Sequence, residues 1–554
     1  MANIETLPPE LIEDICFCLA GKDLKKFRLV NKAINDISER CFWDTQTLVL
    51  NLNREQLSVG MGMLEDLKNR CRVSGLVRTM IIESLAPQRA TRYEQPKDYK
   101  AFEGIEEIEL AKVRVACEVL PKVFPMALSA LTNLRSITWG ITGPDQDTVS
   151  GDWELTWTHR AFSELWNLPH LNDIVLGTNC QPAIPLPPLN GLHHLQHFTI
   201  KGNWRVSNAI VPLGLSPMFA NNPGLITLNL SPWHAGSDHR SSFRLLFGDV
   251  TEDTPPRRLE HLQLHGWFVT LPPLAIPHFR NLQSLTLPYV ASRYVALWGV
   301  FQREGIHPVR DIDMGNVGDE VLDYLESYSG LETLHIKGPE GTPVEKIGRL
   351  SGRFYKDALP RHAETLYLLN IGMVMDSPFS IGLDNAATFS HLKNLETLDV
   401  SLRSNDIRPG EGPDSDVVAL LVTTLLPLQY FDYLALRPNL PPHDPFTQFQ
   451  SMIEVRLIKE QTRLKIVESL QRFRLPKDRL PRELEGEIPP FLVNTLTPNE
   501  HYLSESEDDP NVLVFVREDR FDADDSFHFI DLTGIPLGQL AVFDAANGGE
   551  VQML

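Results

Sequence analysis

The nine residues LTNLRSITW, Leu131 to Trp139, decide how this chain is read. Leu131, Leu134, Ile137 and Trp139 are apolar, and Asn133 precedes the second of them. The last two lie two residues apart, which puts both side chains on one face of a strand. The arrangement returns as Leu168-x-His170-Leu171-x-x-Ile174-x-Leu176 and as Leu192-x-His194-Leu195-x-x-Phe198-x-Ile200. It recurs at Phe279-x-Asn281-Leu282-x-x-Leu285-x-Leu287, at Tyr328-x-Gly330-Leu331-x-x-Leu334-x-Ile336 and at Leu392-x-Asn394-Leu395-x-x-Leu398-x-Val400. Six copies with constant offsets, each with Asn, His or Gly before the second apolar residue, mark a repeat.

Shorter copies fill the gaps: Leu225/Leu228/Leu230, Leu259/Leu262/Leu264, Val309/Ile312/Met314, Leu366/Leu368 and Leu434/Leu436, with Val77/Met80/Ile82 and Ile105/Ile108/Leu110 upstream. Neighbouring repeats begin roughly 22 to 37 residues apart. The pattern resembles an irregular leucine-rich repeat array, which implies one short strand per repeat and a returning helix or loop. Asn stands three residues after the last apolar position only at Asn179, Asn203 and Asn439, so the turns are not uniform.

Stacked repeats bury their strand residues against their neighbours and share one core and one sheet. The residues between the apolar positions then point outward. In order these are His197 and Lys201, His261, Gln263 and His265, Asp311 and Asp313, His335 and Lys337, then Tyr367 and Asp399. Strands about 4.8 Å apart would bring such side chains into one recognition surface. His197, Lys201, His261, His265, Asp311, Asp313, His335, Lys337 and Tyr367 are the candidate target-binding residues. A solvated face without a role is the alternative at any one position. His and Asp ligate metals, but none are held here at ligand spacing, and no metal or cofactor is expected.

Upstream of the repeats, Thr6 to Trp43 reads as three short amphipathic helices. Pro8 and Pro9 suit a first helical turn, and Leu11, Ile15 and Leu19 recur every four residues. Gly21 reads as a stop and Asp23 as the N-cap of a second helix carrying Leu24, Phe27 and Val30. Ala33, Ile34 and Ile37 lie on the third. A segment of roughly 40 residues is near the lower limit of independent stability, so its apolar faces need a partner.

The residues Leu7-Pro8-x-Glu10-Leu11, Ile15, Leu19, Asp23-Leu24, Arg28-x-Val30-x-Lys32 and Trp43 resemble the F-box. Asn31 replaces the Cys or Ser common there, and Ile34 an aromatic residue. The resemblance implies docking on a Skp-type adaptor, which joins the motif to a cullin. Leu7, Pro8, Leu11, Ile15, Leu19, Leu24, Val30 and Lys32 would then form the adaptor-binding surface. The alternative is a helical cap over the exposed end of the repeats.

Composition agrees with an interaction protein. The chain has 554 residues, 42% apolar and 8% aromatic, enough for an extensive core. Its net charge of −21 disfavours nucleic acid as the main partner. MANIETLPPELIED lacks a basic start and a long apolar run, so no signal peptide is expected, and no membrane-spanning run occurs. Six scattered cysteines (16, 18, 41, 71, 117 and 180) without a CxxC pair read as reduced thiols of cytosol or nucleus.

Loops interrupt the repeats at Pro87–Phe102, Gly140–Arg160, Pro232–Pro256 and Ser404–Asp416. Trp153, Trp157, Trp233 and Phe243 in them are either partner anchors or caps on the core. Phe446 to Phe473 reads as a terminal helix, followed by a Pro-rich linker and by an acidic stretch from Glu500 to Asp531. Val512–Val516 and Phe527–Leu532 could pair as strands.

No nucleophile elbow, phosphate loop, HExxH or dinucleotide fingerprint is present, so no catalytic residue is expected. The expected fold is α/β: a short three-helix F-box (1–45), an irregular leucine-rich-repeat-like solenoid (46–440) and a C-terminal helix, linker and acidic region (441–554). The expected function is substrate recognition in a Skp–cullin–F-box ubiquitin ligase, with an adaptor and a target protein as partners and neither nucleic acid nor membrane. The alternative is a repeat scaffold or inhibitor without a ubiquitin role.

Overall fold

A computed structural model describes residues 7–19, 21–45, 47–53, 56–69, 74–85, 103–141, 153–178, 187–202, 211–232, 246–248, 256–265, 271–288, 295–307, 310–315, 317–337, 344–373, 375–440, 452–473, 492–495, 512–517 and 527–531. The chain divides into two compact units, Met1–Leu282 and Gln283–Leu554.

The first unit opens with three helices, α1 (Pro9–Cys18), α2 (Gly21–Phe27) and α3 (Lys32–Thr45). Pro8 caps α1 with its carbonyl, which accepts from Leu11 N and Ile12 N, and Pro9 takes the first helical position. Asn31 caps α3: its side-chain oxygen accepts from Ile34 N at 2.8 Å. Parallel strands follow: β1 (Leu48–Asn51), β2 (Thr79–Ser84), β3 (Ser136–Ile141), β4 (Asp173–Thr178), β5 (His197–Gly202), β6 (Thr227–Pro232) and β7 (His261–Leu264). The returning segments include helices at Leu57–Asn69, Glu103–Ser129, Trp153–Glu164 and Val211–Asn221.

The second unit continues the pattern with β8 (Ser284–Leu287), β9 (Asp311–Met314), β10 (Thr333–Lys337), β11 (Leu368–Gly372), β12 (Thr397–Leu402), β13 (Tyr433–Pro438) and β14 (Leu492–Thr495), all parallel. Two antiparallel strands, β15 (Val512–Arg517) and β16 (Phe527–Asp531), extend the sheet. Helices return at Val295–Arg303, Asp319–Glu326, Val344–Arg353 and Val417–Leu425, and a terminal helix spans Met452–Arg472. Strand followed by return, in sequence order, makes each unit leucine-rich-repeat-like.

The two-residue spacing of the apolar pairs decides the faces. Ile137 and Trp139, Ile174 and Leu176, and Phe198 and Ile200 are buried in the first unit. Leu285 and Leu287, Leu334 and Ile336, and Leu398 and Val400 are buried in the second. Burial of each such side chain contributes about 1.5–3 kcal/mol over exposure. Just ahead of the strands, one carbonyl per repeat accepts two amides from the next. Arg135 O takes Asn172 N and Asp173 N, and Glu332 O takes Tyr367 N and Leu368 N.

Three expectations need correction. Ile105, Ile108 and Leu110 lie within the 27-residue helix Glu103–Ser129 and form no strand. Trp153 and Trp157 belong to the helix Trp153–Glu164 rather than to a loop. The repeat read at Leu366/Leu368 runs instead through Leu366, Leu369 and Ile371, all fully buried, while Leu368 faces outward. Asn179, Asn203, Trp233, Phe243, most of the Pro232–Pro256 loop, the Pro87–Phe102 loop and the linker lie outside the described residues.

Candidate functional site

Two surfaces carry the candidate functional residues: the N-terminal helices and the outward faces of the strands. On α1, Ile12 and Cys16 turn inward and form a core with Leu24 and Cys41. Leu7, Leu19, Phe27, Ile37 and Phe42 pack against this core, so the helices hold one another together. Arg28 lies over the Phe42 ring at 4.2 Å and donates to Asn35 Oδ1 at 3.0 Å, tying the α2–α3 turn to α3. Burial pushes the Cys16 thiol up, against a hydrogen bond with Cys41.

The eight candidate adaptor-binding residues separate by exposure. Pro8, Leu11, Val30 and Lys32 are exposed, with Leu11 at 48% and Val30 at 59%. Leu7, Ile15 and Leu19 are half-buried, and Leu24 is fully buried. Leu11 and Ile15, one turn apart, therefore form a second apolar stripe of α1, beside the Ile12–Cys16 stripe that makes the core. Sequence reading passed over two exposed apolar residues, Phe17 and Leu29, which are 56% and 85% exposed. Their position off the four-residue period was the available signal.

The candidate target-binding residues fall into two groups. In the first unit, His197 and Lys201 lie on β5, His261 on β7 and His265 just after it. Their surroundings are polar and mutually bonded. Ser136 Oγ donates to Asp173 Oδ2 at 2.7 Å, and His197 Nδ1 and Thr227 Oγ1 are 3.0 Å apart. Asn229 Nδ2 donates to Gln263 Oε1 at 2.8 Å.

In the second unit, register places Asp311 beside Thr333 and Asp313 beside His335. His335 in turn neighbours Asn370, and Asn370 neighbours Asp399. Lys337 Nζ stands 3.9 Å from Asp313 Oδ1, which is buried without a hydrogen-bond partner among the described residues. Asn370 Nδ2 donates to Asp399 Oδ2 at 2.8 Å, and the Arg437 guanidinium forks onto both Asp399 oxygens. That hydrogen bonding holds Arg437 above its ordinary range. Burial pushes the His335 imidazole down, against the pull of Asp313 and Asp399. Tyr367 does not join this row, for it precedes β11 at the level of Glu332 and Glu396. Asn370 was missed because of the β11 register. Arg437 was legible, since it stands one residue after the last apolar position, as Lys201 and Lys337 do.

Among the described residues, no group of three or more His, Cys, Asp or Glu is placed to hold a metal ion, and no helix is long and apolar enough to cross a membrane.

No protein-family model matches the chain, and no curated protein matches it. Among solved structures, an internalin from Listeria monocytogenes is similar at 16% identity, over 57% of this chain and 70% of that one, with a TM-score of 0.27. A Bacteroides fragilis protein is similar at 14% identity, over 74% and 80%, with a TM-score of 0.21. Likenesses this distant carry no functional argument, which rests on the chain's own residues.

Proposed function

We propose that this chain is the substrate-recognition subunit of a Skp–cullin–F-box ubiquitin ligase. The observation that carries this reading is the apolar stripe of Leu11 and Ile15 on α1, with Val30 exposed after α2, on helices that already possess a core. Apolar surface that the local core does not use marks a docking site for another protein. It coincides with positions where the segment resembles the F-box.

In this reading Leu7, Pro8, Leu11, Ile15, Leu19, Val30 and Lys32 meet the adaptor, and Leu24 holds the helices beneath them. The adaptor supplies the link to a cullin, and the strand faces hold the target. Bond formation to ubiquitin happens on other subunits; this chain contributes proximity and orientation. It acts without catalytic residues or cofactor, in cytosol or nucleus.

The test is a pull-down with purified Skp-type adaptor, comparing wild type with a Leu11→Asp/Ile15→Asp variant of matched circular dichroism. Capture of wild type and at least tenfold less capture of the variant is the expected result. A folded wild type that captures no adaptor overturns the ligase reading and leaves a repeat scaffold whose helices serve as a cap. Co-purification of a cullin with the captured complex separates ubiquitin transfer from other adaptor functions.

A further inference from the structure

The strand face of the second unit has an uneven charge arrangement. Among the described residues of β9 to β13 and the residues just ahead of them, Arg310 pairs with Glu332 at 3.3 Å, Lys337 with Asp313 and Arg437 with Asp399. Asp311, Glu396 and Asp432 have no hydrogen bond or ion pair from their side chains among the described residues. One oxygen of Asp313 is also buried without a hydrogen bond. At the β13 end a further cation approaches, where Lys459 of the terminal helix lies near Arg437; burial first, then that charge, lowers its ammonium. The unmatched negative charge therefore lies over β9 to β12.

Asp311, without an ion pair among the described residues, and Asp313, whose partner Lys337 stands 3.9 Å away, are the centre of this region. Two residues apart on β9, they project from the same face, about 7 Å apart along the strand. Ser284 and Thr286 flank them on β8, and Thr333 and His335 on β10. Burial lowers the His335 imidazole from its ordinary value, and the cation that reaches this pair is Lys337, two residues further along β10 and 3.9 Å from Asp313. An extended peptide presents alternate side chains at the same two-residue spacing.

We infer that the strand face of the second unit receives an extended basic segment of a partner protein, with Lys or Arg side chains at alternate positions seated on Asp311 and Asp313. Charge complementarity selects this occupant, since an acidic or phosphorylated segment would meet like charge without a free cation over β9 to β12. The inference deepens the proposed target-binding role and rests on it for its biological meaning.

The probe is a fluorescein-labelled 14-residue peptide with Arg and Lys at alternate positions in a Ser/Gly/Thr background, alongside its Glu-substituted counterpart. Fluorescence anisotropy compares full-length wild type, Asp311→Asn/Asp313→Asn, and a control of equal net charge, Asp357→Asn/Asp414→Asn, whose positions are exposed and off the strands. The expected result is binding of the basic peptide alone, weakened at least tenfold in the first variant and less than twofold in the control. Equal weakening in both variants would reduce the effect to net charge and overturn the inference, as would failure to bind or equal binding of the acidic peptide. Adaptor capture is measured on the same proteins. Peptide binding without adaptor capture leaves the face assignment standing and removes the ligase; the converse removes only the face assignment.

Discussion

At the scale of single residues, local hydrogen bonding and burial give sharp expectations. Asn31, which departs from the residue common at that place in the F-box, accepts from Ile34 N and so starts α3. Asn31→Ala should cost about 1 kcal/mol of local helix stability, with faster amide exchange confined to the N-terminal helices as the readout. Arg257 is the opposite case. Its side chain is fully buried, its three guanidinium nitrogens have no hydrogen-bond partner among the described residues, and it lies over the Phe219 ring at 4.1 Å. Burial lowers it to about 10, which still leaves it charged at neutral pH. An unpaired buried charge costs stability that an apolar chain of similar length does not. Arg257→Met is therefore expected to raise the melting temperature of the full chain, and a clear fall would show that the charge is compensated.

At the scale of elements, ion pairs fasten one returning helix to the next. Arg353 reaches Asp323 at 2.5 Å and Glu326 at 2.6 Å, and Arg349 reaches Asp319 at 2.7 Å. These groups join the helix Val344–Arg353 to Asp319–Glu326. The Arg349 hydrogen bond holds the Asp319 carboxyl below its ordinary range. Surface pairs of this kind contribute about 0–1 kcal/mol each and are screened by salt. Arg353→Ala should lower stability by about 1–2 kcal/mol at low ionic strength, with the deficit shrinking in 1 M salt. Equal loss at both ionic strengths would assign the effect to packing of the arginine stem.

At the scale of the molecule, each compact unit has a buried histidine that clasps its neighbouring chain. His278 Nδ1 accepts from Arg257 N at 3.1 Å in the first unit, and His362 Nδ1 from Leu331 N at 3.3 Å in the second. Burial lowers both from 6.5 to about 4. Above pH 6.5 neither the folded nor the unfolded chain protonates them. Between 6.5 and 4 only the unfolded chain does, so stability is lost as the pH is lowered through that window, by about 3 kcal/mol at most per histidine. Asn performs the same clasp elsewhere, for Asn222 Oδ1 accepts from Leu195 N at 2.7 Å. His362→Asn should therefore keep the clasp at pH 7.5 and flatten the acid limb, as melting curves from pH 7.5 to 4.5 will show. An unchanged acid limb would remove His362 from the acid response.

The strand faces were legible because apolar residues two apart can serve only one face of a sheet. That holds from Ile137 and Trp139 to Leu434 and Leu436, and it located Asp311, Asp313, His335 and Lys337 correctly on outward positions. The same spacing misled at Ile105, Ile108 and Leu110, where the surrounding Glu residues favour helix. At β11 two overlapping apolar registers competed, and only the buried core of the neighbouring strands selected Leu369 and Ile371.

The sequence by itself determined that this chain is built of repeated parallel strands behind three amphipathic helices, because periodicity is a local property of the chain. Which apolar stripe of α1 becomes core, which carboxylates keep partners, and which histidines are buried were decided by tertiary structure. Those outcomes depend on residues brought together from distant positions, and the competition for burial and charge pairing is settled only when the elements pack.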